Sequence, residues 1–210
     1  GFYYTQQGQA ELLERSVLTN NGKRMTGDSL FYDRNRGIGE AFRNVEFVDT
    51  ISKNMLTGDY CFYNQLTGYA FATDKAVATD FSQGDSLFIH ADTLQLYTFH
   101  VNTDSVYREA RAYHKVRFYR TDVQGVCDSL VFSSKDSCLT MYRDPILWNG
   151  QHQVLGEEIL VYMNDSTIDW AHVHNQALFV ERLDSVNFNQ VAGKDMKAYF
   201  KNGEMSQVDV

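Results

Sequence analysis

The chain has 210 residues, 43% of them hydrophobic, and a formal net charge of −8. That content describes a folded globular chain with one sizeable core or two small ones, not a disordered one. The negative balance argues against nucleic-acid binding by phosphate neutralisation, and no apolar run approaches the roughly 18 residues of a membrane-crossing helix. Cys61, Cys127 and Cys138 are odd in number and lack CxxC spacing, so neither a disulfide framework nor a zinc knuckle is indicated and buried thiols are expected. Aromatic residues reach 14% and Pro145 is the single proline, a composition that favours long uninterrupted strands.

In chain order, GFYYTQQG opens without a signal-peptide pattern and reads as a trimmed start. AELLERSVLT has a helical local propensity but fits as the second half of a hairpin, with Ser16-Val17-Leu18-Thr19 standing where Asn44-Val45-Glu46-Phe47 stands later. A half-unit Gly-Asp-x-apolar-x-aromatic then recurs as GDSLFY at Gly27, GDYCFY at Gly58, GDSLFI at Gly84 and CDSLVF at Cys127. Looser copies are GEEILV at Gly156 and GKDMKA at Gly193. A second half-unit, polar-apolar-x-apolar, follows as NVEF at Asn44, KAVA at Lys75, KVRF at Lys115, DPIL at Asp144 and QALF at Gln176. Turn-prone DRNRG, NQLTG, SSKDS, MNDS and FKNGE separate the halves. The pattern predicts β-hairpins repeating about every 30 residues, and no helix longer than about three turns.

Side chains on a strand alternate between faces, so period two identifies the inner one. The apolar phase holds Leu30, Tyr32, Cys61, Tyr63, Leu87, Ile89, Leu130, Phe132, Ile159, Val161, Met196 and Ala198 in the first half-units. In the second it holds Val45, Phe47, Ala76, Ala78, Val116, Phe118, Pro145, Leu147, Ala177 and Phe179. Ser29, Tyr60, Ser86, Ser129, Glu158 and Asp195 occupy the opposite phase. Stacked hairpins with one apolar face predict an all-β fold lined by these pairs.

The unit in GDSLFYDRNRGIGEAFRNVEF (Gly27 to Phe47), and less closely NMLTGDYCFYNQLTG (Asn54 to Gly68), resembles the OstA-like repeat of periplasmic lipopolysaccharide-transport proteins of Gram-negative bacteria. The resemblance implies one open, V-shaped β-jellyroll over residues 1–210, a segment of a longer exported protein. It also implies a non-enzymatic role in outer-membrane biogenesis, with no cofactor. The interior would carry lipid A acyl chains on Leu30, Tyr32, Val45, Phe47, Tyr63, Leu87, Ile89, Val116, Phe118, Leu130, Phe132, Leu147, Ile159, Val161 and Phe179. Like jellyroll domains would join it edge to edge, in the periplasm and in association with the outer membrane. The long insertion YTFHVNTDSVYREARAY and the divergence after Gly156 depart from the family pattern.

Arg111, Lys115 and Arg117 share one strand phase and are candidates for headgroup contact, set against a reading as a solvated outer face. His172-Val173-His174 puts two imidazoles on one strand face, but no glutamate follows at the short distance of a cupin-type metal site. Exposed polar positions are therefore expected there, and no metal. Arg34 and Arg36 read as a solvated hairpin tip. Asp28, Asp59, Asp85 and Asp128 recur once per hairpin, which fits a turn device better than a general acid. GxSxG, HExxH and phosphate-cradling loops are lacking, so an enzyme is not expected. Two alternatives stand: a structural or adhesive β-repeat protein without a lipid, and a polysaccharide-active enzyme on a β-helix or jellyroll.

Overall fold

The computed structural model describes residues 1–20, 22–82, 84–164, 167–201 and 204–210. The tips of MNDS and FKNGE, at Asp165, Ser166, Asn202 and Gly203, lie outside the described residues. The fold is all-β, with no helix among the described residues, and AELLERSVLT is strand despite its helical propensity. Contacts divide the chain into two compact units, Gly1–Ala112 and Tyr113–Val210.

The first unit contains β1 (Phe2–Tyr4), β2 (Gln9–Leu12), β3 (Ser16–Asn20), β4 (Lys23–Gly27), β5 (Ser29–Asp33), β6 (Ile38–Asp49), β7 (Asn54–Asn64), β8 (Tyr69–Asp80) and β9 (Leu87–Phe99). The boundary falls within β10 (Tyr107–Tyr119). The second unit continues with β11 (Val123–Ser133), β12 (Cys138–Tyr142), β13 (Ile146–Asn149), β14 (His152–Leu155), β15 (Glu158–Asn164), β16 (Thr167–Arg182), β17 (Phe188–Lys201) and β18 (Glu204–Asp209).

A bend at mid-strand turns these hairpins into layers. Between β6 and β7 the register jumps from Phe42↔Tyr60 to Val45↔Gly58, so Arg43 and Asn44 stand opposite Asp59 alone. This two-against-one arrangement is a β-bulge, which bends the strand and sharpens its twist. Both residues on the bulged strand are left-handed, φ 55° and 50°, a conformation that costs a non-glycine residue about 1–2 kcal/mol. The same left-handed pair recurs at Asp74/Lys75, His114/Lys115, Arg143/Asp144 and Asn175/Gln176. Each pair ends on the first residue of a second half-unit. The Asp28 N–H donates to both the Phe42 and Arg43 carbonyls, at 3.1 and 3.0 Å, and Glu157 N–H does the same to His174 and Asn175, both at 3.1 Å. Those bonds, with the side-chain pairs described below, offset the strain.

In the first unit, one layer comprises β2, β5, 38–42 of β6, 60–64 of β7, 69–73 of β8 and 93–96 of β9. The other comprises β3, β4, 45–49 of β6, 54–58 of β7, 76–80 of β8 and 87–91 of β9. One inner row runs Leu12, Leu30, Ala41, Cys61, Ala72 and Leu94 across paired strands. The second unit repeats the plan, with an inner row of Leu130, Met141, Ile159, Val173 and Met196, all buried. Turns are held by an acid or amide at the end of a strand. Asp33 accepts from Arg36 N–H at 3.0 Å, and Asp49 from Ile51 and Ser52 N–H at 3.0 and 2.9 Å. Gly37 closes DRNRG at φ 64°, a conformation other residues adopt only with strain.

Two alignments are corrected. The third copy of the first half-unit is not GDSLFI at Gly84 but ADTLQL at Ala91, because the bulge of β8 against β9 falls between Thr73↔Thr93 and Ala76↔Ala91. Leu87 and Ile89 therefore belong to the second layer, and Asp92 rather than Asp85 stands at the bend. In AELLERSVLT the register slips by one residue. Leu18 pairs with Met25, which pairs with Phe47, so Ser16 stands where Val45 stands and Val17 is exposed on the outer face.

Candidate functional site: an amphiphilic cavity in the first unit

Between the two layers of the first unit lies a cavity of about 440 Å³, within the roughly 300–1,000 Å³ typical of small-ligand sites. Its walls follow from the side chains in one inner row: Ala10, Tyr32, Gly39, Tyr63 and Ala70 alternate small and large across the first layer. Gly39 leaves a gap between Tyr32 and Tyr63, and a methyl group placed there would meet only the Met25 side chain, at 4.0 Å. The opposite wall carries Leu18, Met25 and Phe47. The Phe47 and Tyr63 rings meet at 5.7 Å, bridging the layers.

The rim is cationic. Lys23 and Arg34 line the cavity, and Lys23 Nζ donates to Tyr63 Oη at 3.0 Å. Asp49, buried at the end of β6, lies in the field of Lys23. Burial pushes its carboxyl up, but the bonds from Ser52 and Ile51 and the Lys23 charge outweigh this and hold it below the ordinary carboxylate range. An apolar floor under a basic rim can take an apolar chain ending in an anionic group.

Of the inward residues named from the sequence, Tyr32, Phe47 and Tyr63 line this cavity, while Leu30 and Val45 are buried in its unit's core. Leu87 and Ile89 are half-buried on the inner face of the second layer and outside the cavity lining. In the second unit Val116, Leu130, Ile159 and Val161 are buried and Phe132 is half-buried. Leu147 and Phe179 border an apolar crevice of about 20 Å³, room for about one water molecule. Phe118 is also buried, its ring so close to Gly125 that a methyl group there would lie 2.3 Å from it. Among the described residues, the interior of the second unit is therefore closely packed around Phe118 and beside this crevice.

The basic residues named from the sequence lie elsewhere. Arg111 pairs with Glu109 and stacks over the Tyr97 ring at 4.5 Å, and Lys115 and Arg117 are exposed. Leu18, Lys23, Met25, Arg34 and Gly39 were missed. KRMT directly precedes GDSLFY, so its alternating Lys23 and Met25 were the available signal. Arg34 is exposed, yet it is also part of the rim.

The recurring acids hold the bends. Asp28 accepts from Asn44 at 2.9 Å, Asp59 from Lys75 at 2.8 Å, and Glu157 from Gln176 at 2.7 Å, while His114 lies 3.3 Å from Asp128. Burial pushes the Cys61 and Cys127 thiols up to about 12.

The class defined by this geometry is an all-β protein of bent antiparallel hairpins with an amphiphilic cavity between layers. No family model and no curated protein matches the chain. Among solved structures it is similar to LptH, the LptA-homologous periplasmic component of the conserved lipopolysaccharide transport device from Pseudomonas aeruginosa. The identity is 14%, the TM-score 0.46, and the match covers 58% of this chain and 82% of that one.

Proposed function

We propose that the chain binds acyl chains of lipopolysaccharide in the cavity of its first unit, as a non-enzymatic part of a periplasmic transport bridge or scaffold. The observation that carries this is the pairing of apolar walls (Leu18, Met25, Phe47, Tyr63) with a basic rim (Lys23, Arg34). Each methylene removed from water contributes about 0.8 kcal/mol, and the rim cations suit phosphates on the headgroup. The resemblance of Gly27 to Phe47 to the OstA-like repeat supports the lipid class. Like domains are the proposed neighbours, joined through edge strands such as β3, whose described pairing is with β4 alone.

The test is titration of the chain with purified lipid A and with an uncharged acyl-chain probe. Saturable binding of both is expected, with Phe47→Asp abolishing both and Lys23→Glu with Arg34→Glu weakening lipid A selectively by tenfold or more. Undiminished binding by folded Phe47→Asp would remove the cavity from the mechanism and favour a purely structural repeat.

A further inference from the structure

The outer face of the second unit carries a cluster unrelated to the cavity. His172 and His174 project from one face of β16, their ring centroids 3.7 Å apart. The register of β17 sets Asp195 directly opposite His174. One oxygen, Asp195 Oδ1, lies 3.0 Å from His174 Nδ1 and 4.0 Å from His172 Nε2. One ligand atom from each of the three residues falls within 4.8 Å of the others. On the other side of β16, Glu158 stands opposite His174, so carboxylates flank this imidazole on both neighbouring strands. His174 and Glu158 also border a polar depression with Arg143 and Glu157, which leaves the group open to solvent.

We propose that His172, His174 and Asp195 form a binding site for a divalent transition-metal ion of the zinc or nickel kind. Two imidazoles and one carboxylate suit such ions better than magnesium or calcium, which take oxygen ligands. Metal–ligand bonds of about 2.0–2.2 Å place ligands of a tetrahedral ion about 3.3–3.6 Å apart. The 3.0 and 4.0 Å separations bracket that span. Side-chain exposures of 20% for His172, 34% for His174 and 47% for Asp195 leave room for the adjustment. Three protein ligands leave a fourth position, which a water molecule can fill. Lys197 stands opposite His172 on β17, and its ammonium sits over the Trp170 ring at 5.5 Å.

The simpler alternative is a hydrogen bond from His174 to Asp195 that ties β16 to β17, with no ion. Calorimetric titration of the whole chain with zinc at neutral pH separates the two, with magnesium and the His114→Gln variant as controls. The proposal expects one zinc per chain, no response to magnesium and unchanged binding in His114→Gln. His172→Ala, His174→Ala or Asp195→Asn should each weaken binding by at least the ~10- to 100-fold that loss of a residue merely orienting a ligand costs. Substoichiometric nickel added to unaltered protein gives a second readout that no folding defect confounds. Its paramagnetism should broaden the ring signals of two of the six histidines, and these should be the two assigned to His172 and His174. Absence of saturable zinc binding, or broadening of other histidines first, overturns the site.

Discussion

The Asn44 side-chain amide donates to the Asp28 carboxylate at 2.9 Å, across the point where β6 passes from one layer to the other. Asn44 is left-handed, φ 50°, and asparagine tolerates that region better than most residues. Asn44→Gly should be near neutral in thermal stability, because relief of backbone strain offsets the lost hydrogen bond. Asn44→Val loses the bond and adds β-branched strain, and should destabilise by about 2 kcal/mol or more in urea unfolding. Equal losses in both variants would mean that the amide, and not the backbone, holds the bend.

The cavity and the filled core should respond oppositely to polar substitution. Phe47 borders open space, so Phe47→Asp should keep a cooperative thermal transition while eliminating acyl-probe binding. Phe118 packs on Gly125, and an unpaired buried charge costs several kcal/mol, so Phe118→Glu should unfold the second unit. Met141→Ala should cost about 2–5 kcal/mol through the cavity it leaves. Circular dichroism melts on the three variants check this, with a stable Phe118→Glu as the contrary result.

Acid stability should depend on two strand-end carboxylates. The Gln9 amide and the Arg36 N–H hold Asp33 below its ordinary range, and Asp49 is held low despite its burial. A carboxyl whose folded pKa is depressed contributes stability that is fully present above the unfolded value of about 3.9 and lost as pH falls through the folded value. Melting temperature should therefore be flat near neutrality and fall below about pH 4. Asp49→Asn keeps an acceptor for the turn and should flatten that fall. A fall of undiminished steepness in Asp49→Asn would leave that acid without a role.

Thiol reactivity should sort by burial. Cys61 and Cys127 are buried with raised thiol pKa values, and Cys138 is half-buried. A disulfide reagent at pH 8 should modify at most Cys138 in native protein and all three cysteines in urea. Rapid native reaction at Cys61 would show that the first unit opens on the time scale of the assay.

The exposed edge at β3 should drive self-association, since unpaired N–H and C=O groups on a flat edge accept another strand. Sedimentation should show mass rising with concentration, and Val17→Pro should suppress the rise by removing an outward-facing edge donor of β3. A strict monomer at the highest attainable concentration would count against the bridge reading while leaving the fold intact.

Period-two alternation and the turn residues were enough to place most of the hairpins and their inner faces, because both act within a few residues of chain. Leu30, Val45, Val116 and Ile159 are buried for that reason alone. The third copy was misplaced because Gly84-Asp85 mimics the motif, whereas the bulge is positioned by the neighbouring strand, at Ala91 opposite Ala76. Which unit keeps an open interior was equally invisible. It depends on whether a ring such as Phe118 closes over a glycine or a gap such as that at Gly39 is left between two tyrosines. Asp195 joins His174 from 21 residues away, a distance that only the register of β16 on β17 spans. Local alternation is a property of the chain, but cross-strand partnership is decided by packing between segments, and both candidate sites are built from it.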